Sequence, residues 1–223
     1  DRVDHFIAIS QEIRRRIAKI YRRDSVIIYP PVDTSRFEPS NRVEDYYLFV
    51  GRLVPYRRLD LLIEAFNKMQ RPLRIAGTGR DYERLAELVG PTVDLLGYVP
   101  DEELPDLIAR SRVFMFPGEE DFGIAPIQAM AAGRPVIAYA GGGALETVIP
   151  GVTGALFAEQ SVAAIIDAVE QFDPDGVSPA AIRRHAEQFD VTVFEKQMQS
   201  FVAEKFEAHR IARRAGLSVP VTD

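Results

Sequence analysis

The feature that most constrains this chain is a repeated switch of hydrophobic period. Short β-branched and aromatic runs alternate with longer stretches whose apolar residues recur at helical spacing. The strand-like runs are YYLFVG ending at Gly51, LRIAG (Leu73 to Gly77), VDLLG (Val93 to Gly97), RVFMFP (Arg112 to Pro117) and PVIAY (Pro135 to Tyr139). Helical patterns lie between them: Leu59, Leu62, Ile63 and Phe66 mark one, and others cover Arg80 to Val89, Asp101 to Arg110 and Ile124 to Ala132. At the start, FIAIS reads as a strand, Ser10 caps a helix through Arg23, and a strand follows at Val26 to Tyr29. At the end, GALF (Gly154 to Phe157) precedes helices at Val162 to Phe172, Pro179 to Phe189 and Val191 to Ala215. Strand and helix alternating this way call for parallel crossovers. The expected fold is α/β: a Rossmann-like open parallel sheet with helices on both faces.

Composition narrows what such a fold does here. Of 223 residues, 47% are hydrophobic and 27% charged, which suits an ordinary globular core. No cysteine is present, which excludes disulfides and thiolate metal sites and fits a reducing, cytoplasmic setting. No apolar run is long enough to span a bilayer, and the start carries no signal-peptide pattern. DRVDHFIAIS reads instead like the middle of a protein. The formal charge of −6 argues against nucleic-acid binding by the chain as a whole, while leaving room for a local basic pocket.

Ligands of open parallel sheets bind at the carboxyl ends of the strands. There this sequence places Gly51-Arg52, Gly77-Thr78-Gly79, Gly97-Tyr98, Pro117-Gly118-Glu119 and Ala140-Gly141-Gly142-Gly143. Glycine at a strand end lets backbone approach a ligand and presents N–H groups to anions. Five such junctions on one rim favour a phosphate-bearing ligand over plain turn chemistry. Arg52 leaves the strand end at Gly51 and Arg57 lies near the next helix start, so both guanidinium groups are placed to meet an anion. In PGEEDFGIAPIQ, Phe122-Gly123-Ile124 reads as a first helical turn, and the amides of Gly123 and Ile124 favour an anionic oxygen. Glu120 and Gln128 are eight apart, a spacing that brings both to one side of a helix. A carboxylate and an amide there suit a sugar and a ribose.

Other motifs carry less. GTGRDY has Tyr82 where a dinucleotide fingerprint needs its third glycine, and no P-loop occurs. Asp173-Pro174-Asp175 matches a metal-binding pattern but sits in a turn, where solvated carboxylates are the plainer reading. His5, His185 and His209 share no catalytic spacing. The first helix carries Arg14, Arg15, Arg16, Lys19, Arg22 and Arg23. That basic face suits anionic lipid at the inner side of a membrane, although a solvated face explains it more simply.

GRLVPYRRLDLLIEAF, LGYVPDEEL, FPGEEDFGIAPIQAMAAGRPVIAY and GGGALETV, in this order, resemble the donor-binding half of GT-B retaining glycosyltransferases of the family-4 type. IYPPVDTSRF resembles the connection between the two halves of that fold. The resemblance implies three parts: residues 1–30 closing the acceptor half, 31–190 binding the donor, and 191–223 crossing back with Phe194, Met198, Phe201 and Phe206. It implies that Arg52 and Arg57 hold the donor diphosphate, with Arg57 in place of the usual lysine, and that Glu120 contacts the transferred sugar. Gln128 stands where a glutamate normally binds ribose. Gly51 belongs to the diphosphate rim, the backbone of Gly97, Tyr98 and Val99 meets the base, and Phe122, Gly123 and Ile124 form the phosphate-facing turn. Gly142 and Gly143 would form the opposite wall.

The implied reaction is transfer of a sugar from a nucleoside-diphosphate sugar with retention, without cofactor or metal. GDP-mannose is the favoured donor, and the acceptor is a sugar or a lipid-linked sugar. The alternatives are a nucleotide-sugar binding module without turnover and a GT-B-like nucleotide-sugar epimerase.

Overall fold

The computed structural model describes residues 3–214. In chain order the elements are β1 (Phe6–Ala8), α1 (Gln11–Tyr21), β2 (Ser25–Ile27), β3 (Tyr47–Val50), α2 (Leu59–Met69), β4 (Leu73–Ala76), α3 (Tyr82–Ala86), β5 (Val93–Gly97) and α4 (Leu104–Ala109). They continue as β6 (Val113–Phe116), α5 (Ile124–Ala131), β7 (Val136–Tyr139), α6 (Ala144–Thr147), β8 (Gly154–Phe157), α7 (Val162–Gln171), α8 (Pro179–Ala186) and α9 (Val191–Arg214). Six strands form one parallel sheet in the order β5-β4-β3-β6-β7-β8, while β1 and β2 pair separately, also in parallel. This is the doubly wound Rossmann order, with its reversal point between β3 and β6.

Strand alternation feeds two cores. Leu48, Phe114, Phe116, Val136 and Ala138 face Ile108, Ile127, Met130 and Ile182 on one side. Phe49, Ile75, Val113, Met115 and Ile137 face Leu62, Ile63, Phe66, Leu85 and Ile165 on the other. Neighbouring residues thus enter opposite layers, as a period of two requires when both faces are covered. Fully burying one such side chain contributes about 1.5–3 kcal/mol.

One helix begins later than its pattern predicts, and proline is the reason. Pro105 and Pro126 cannot donate to a preceding turn, so each must stand within the first turn of its helix. The helix predicted from Asp101 therefore starts at Leu104, whereas α5 starts at Ile124 as its pattern predicts, with Phe122 outside it. The helix predicted over Arg80 to Val89 is reduced to Tyr82–Ala86. Its flanks bond elsewhere: Asp81 N–H donates to Leu53 O (3.2 Å) and Gly90 N–H to Asn67 Oδ1 (2.9 Å).

The segment before the sheet is tied to it by aromatic contacts. Tyr29 stacks on Phe122 (centroids 5.5 Å apart) and meets Phe189 edge-on (5.3 Å). The long α9 has no buried residue; its Phe201 ring meets His5 at 6.1 Å. Ala215, the predicted end of that helix, lies outside the described residues.

Candidate functional site

The loops after β3 and β6 leave the sheet at its reversal point, where the carboxyl ends of two neighbouring strands diverge. The β3 loop carries Arg57 in a single 3-10 turn, Pro55–Arg57. The β6 loop carries Glu120. Across the gap, Arg57 Nη2 lies 2.8 Å from Glu120 Oε1, with only 16% and 20% of the two side chains exposed. Two aromatic rings set the guanidinium: it sits over Phe116 at 5.6 Å and over Tyr56 at 5.5 Å.

This pair is not hydrogen-bond satisfied. Arg57 Nε and Glu120 Oε1 are both buried without a hydrogen-bond partner, so the close contact lacks hydrogen-bond geometry. A buried polar atom left unpaired costs about 1–3 kcal/mol. Atoms of this kind at a sheet's reversal point have the chemistry to take a polar, charged ligand.

Glycines decide why the loops come so close. A Cβ on Gly118 would stand 2.7 Å from Arg57 Cα, so the β3 and β6 loops touch backbone to backbone only because it is absent. Behind the acidic loop, a Cβ on Gly142 would stand 2.0 Å from Glu120 O, and one on Gly143 2.3 Å from Phe122 Cα. Gly143 N–H also donates to Glu120 O at 2.8 Å. The glycines expected to form an opposite wall are instead the buttress on which Glu120 rests.

The remaining predicted residues fall as follows. Gly51, Arg52, Tyr98 and Val99 line one cleft of about 340 Å³ at the ends of β3, β4 and β5. Arg52 is exposed, and Tyr98 is 73% exposed. Gly97 closes β5 with φ of 68°. Gly123 is the N-cap of α5 with φ of 88° and no side-chain cap, so the amides at the start of that helix are left uncapped beside Glu120. Ile124, the first helical residue, is 45% exposed. Two readings need correction. Phe122 is only 3% exposed and stacks on Tyr29, so its side chain belongs to the core and only its backbone faces the rim. Glu120 lies before α5, so its spacing to Gln128 is not two helical turns; Gln128 is part-buried within the helix.

Sequence reasoning missed Glu146 on α6. Its two oxygens accept from Gln11 N–H at 2.8 and 3.0 Å, and Oε2 accepts from Tyr29 Oη–H at 3.1 Å. A carboxylate seated on the first amide of α1 satisfies the helix dipole and ties the N-terminal segment to the glycine loop. Burial, and then the hydrogen bond to Glu146, push the Tyr29 hydroxyl's pKa up. The signal available was the glutamate following GGGAL.

Asp121, unexplained by sequence beyond its charge, pairs with Arg16 at 2.7 Å. Arg15 and Arg16 also pair with Glu12, so part of the basic face of α1 is neutralised within the molecule. Asp173 accepts from Asp175 N–H in a 3-10 turn, the solvated reading of that motif. Among the described residues no group of acids and histidines is arranged to hold a metal ion, and no helix is long and apolar enough to cross a membrane.

Residues 33–189 match the family model of glycosyl transferases group 1. The chain belongs to this family. Among its relatives, a D-inositol 3-phosphate glycosyltransferase of Geodermatophilus obscurus is 30% identical, covering 90% of this chain and 52% of the relative. A GDP-mannose-dependent alpha-(1-6)-phosphatidylinositol monomannoside mannosyltransferase of Mycolicibacterium smegmatis is 32% identical, covering 78% and 54%. This group 1 chain thus spans about half the length of these relatives. In fold it resembles sucrose-phosphate synthase from Thermosynechococcus elongatus (TM-score 0.81, 24% identity, 91% of this chain and 58% of that one). It also resembles HepE from Anabaena, solved in complex with UDP-glucose (TM-score 0.79, 22% identity, 91% and 64%). The α/β, Rossmann-like architecture is the one these GT-B glycosyltransferases share.

Proposed function

We propose that this chain is the donor-binding half of a retaining glycosyltransferase that takes its sugar from a nucleoside-diphosphate sugar. The observation that carries the reading is the Arg57–Glu120 pair, held across the sheet's reversal point with an orphaned polar atom on each partner. On this reading Arg52 and Arg57 bind the diphosphate with the uncapped amides of α5, and the base lies against Gly97 to Val99 in the neighbouring cleft. Glu120 takes a hydroxyl of the transferred sugar, and Gln128 a ribose hydroxyl through its amide oxygen.

The chemistry is then electrostatic. The anomeric C–O bond breaks, and its electron pair leaves with the nucleoside diphosphate. Two guanidinium groups and a helix N-terminus, fixed in advance, neutralise that charge in place of a metal ion. The acceptor hydroxyl adds to the same face and passes its proton to the departing phosphate, so configuration is retained without a protein nucleophile. GDP-mannose is the favoured donor, because a relative so named covers most of the chain. The same relative motivates a lipid-linked acceptor, with the exposed part of the α1 basic face resting on the inner surface of a membrane. On this reading residues 1–30 and 191–223 belong with an acceptor half.

Calorimetry with GDP, UDP, ADP and their sugars tests the proposal. At least one binds with sub-millimolar affinity; no binding at millimolar concentration defeats the donor-site reading. Arg57→Ala weakens the diphosphate by about 2 kcal/mol, roughly thirtyfold, and leaves the nucleoside nearly unchanged. Equal losses for both ligands remove Arg57 from the diphosphate site.

A further inference from the structure

Arg134 lies at the opposite rim of the sheet, between the end of α5 and the start of β7. It is only 6% exposed. Its guanidinium makes one hydrogen bond, a long one from Nε to Ala132 O at 3.4 Å. No carboxylate among the described residues comes within ion-pair distance of it, although three acids line the same cavity. Each of those already has a partner, two of them inside the cavity itself. Asp45 and Asp175, 78% and 82% exposed, pair with Arg112 at 3.6 and 3.3 Å. Glu44 pairs with Arg110, with Arg42 at 3.4 Å and with Arg74 at 3.6 Å.

An arginine so placed is a chemical problem. A buried lysine sheds its proton to escape the cost of an unpaired charge, but a guanidinium stays protonated at any physiological pH. Burial pushes its pKa down, and no nearby group pushes it back. Among the described residues its guanidinium has only the carbonyl at the end of α5, and its terminal nitrogens open onto the cavity. The cavity in front of Arg134 has a volume of about 310 Å³, at the small end of ligand sites. Arg112 lines it too, where it is taken up by Asp45 and Asp175, while the planar fork of Arg134 suits two oxygens of one anion. The C-terminal end of α5 adds negative potential nearby, which the bare cation already offsets.

We propose that Arg134 forms a second oxyanion site at the amino rim of the sheet, with Arg112 neutralising Asp45 and Asp175 in the same cavity. Its ligand is a phosphate group, free or as a small phosphomonoester. This site is separate from the donor diphosphate, which binds at the carboxyl rim; nothing in the proposal depends on the glycosyl-transfer reading. A ligand there braces the turn Gly133-Arg134-Pro135 against the start of α8, where a Cβ on Gly133 would already stand 3.1 Å from Pro179 Cβ.

Thermal unfolding tests it, at constant ionic strength, with inorganic phosphate and glycerol phosphate titrated separately. A ligand that binds only the folded chain raises the melting temperature with concentration. The rise is expected in the natural sequence and in an Arg52→Ala/Arg57→Ala double variant, which removes the carboxyl-rim cations. Arg134→Gln weakens the response at least about tenfold, the loss of one charge-assisted pair. In phosphate-free buffer Arg134→Met is as stable as the natural chain or more so, and added phosphate reverses that order. Should Arg134→Gln fail to fold, Arg134→Lys keeps the charge without the fork and is expected to bind more weakly. Preferred binding of one probe tells a free phosphate from an ester. The site is overturned if neither probe stabilises the chain, if Arg134→Gln responds like the natural sequence, or if the double variant loses the response.

Discussion

The two rims of the sheet treat arginine in opposite ways. At the carboxyl rim Arg57 faces Glu120 at 2.8 Å, part-exposed and supported by two rings. At the amino rim Arg134 is largely buried and forms an ion pair with no acid among the described residues, although three line its cavity. The first cation is held ready by a partner that is itself unsatisfied; the second has been given a cavity instead. The contrast shows that a chain can keep a charge available for a ligand in two ways. One is an unsatisfied partnership that a ligand completes. The other is isolation that a ligand ends.

The largest test of this contrast attacks the buttress of the carboxyl rim. Gly143→Ala forces a Cβ to 2.3 Å from Phe122 Cα, so the acidic loop must shift. Overpacking of this kind costs about 1–3 kcal/mol. Nucleotide affinity should fall with it while the Arg134 response persists; parallel loss of both means that the rims are coupled through the fold. Calorimetry and denaturant midpoints read the two effects separately.

A carboxylate satisfied by the chain itself gives a calibration. Burial raises the Asp190 pKa, but hydrogen bonds from Thr34 and Thr192 outweigh that and hold it at about 2. Its folded value is depressed, so its stabilisation is fully present above the ordinary carboxylate range and is lost as pH falls from about 4 toward 2. That contribution is about 2 kcal/mol. Asp190→Asn should lower stability at pH 7 and flatten its dependence between those pH values. An unchanged acid limb in urea titrations would mean that another carboxylate carries it.

Glu120→Gln sharpens the carboxyl-rim half. Removing its charge leaves Arg57 free for the diphosphate, so GDP or UDP binding should hold or tighten by a few fold. The preference for the nucleotide sugar over the bare nucleotide should drop by about 1 kcal/mol. Isothermal titration with both ligands decides, and an unchanged preference removes Glu120 from the sugar. The smallest expected effect is at Arg16, whose pair with Asp121 is nearly half exposed on both sides. Arg16→Ala should change stability by less than about 0.5 kcal/mol and leave nucleotide affinity alone. A larger loss would show that α1 helps to hold the acidic loop.

Much of this was legible in the sequence, because it depends on neighbours along the chain. Period two against period three-to-four located the six sheet strands, and the start of α5 was already written in Pro126, whose missing N–H confines it to a first turn. Strand-end glycines marked one rim because a parallel sheet puts every strand's carboxyl end on the same side. What needed the tertiary structure was anything set by distance across space. That Arg57 meets Glu120, that Gly142 and Gly143 support the acidic loop instead of facing it, and that Glu146 caps α1 all depend on packing between segments far apart in sequence. So does the isolation of Arg134: no local pattern tells an arginine before a strand whether it will meet an acid, water or an open cavity. The sequence by itself determined which elements form and which edge of the sheet gathers the strand-end glycines. Only the folded chain decided which charges are paired and which are left for a ligand, because Coulomb and hydrogen-bond energies depend on separations that backbone propensities do not fix.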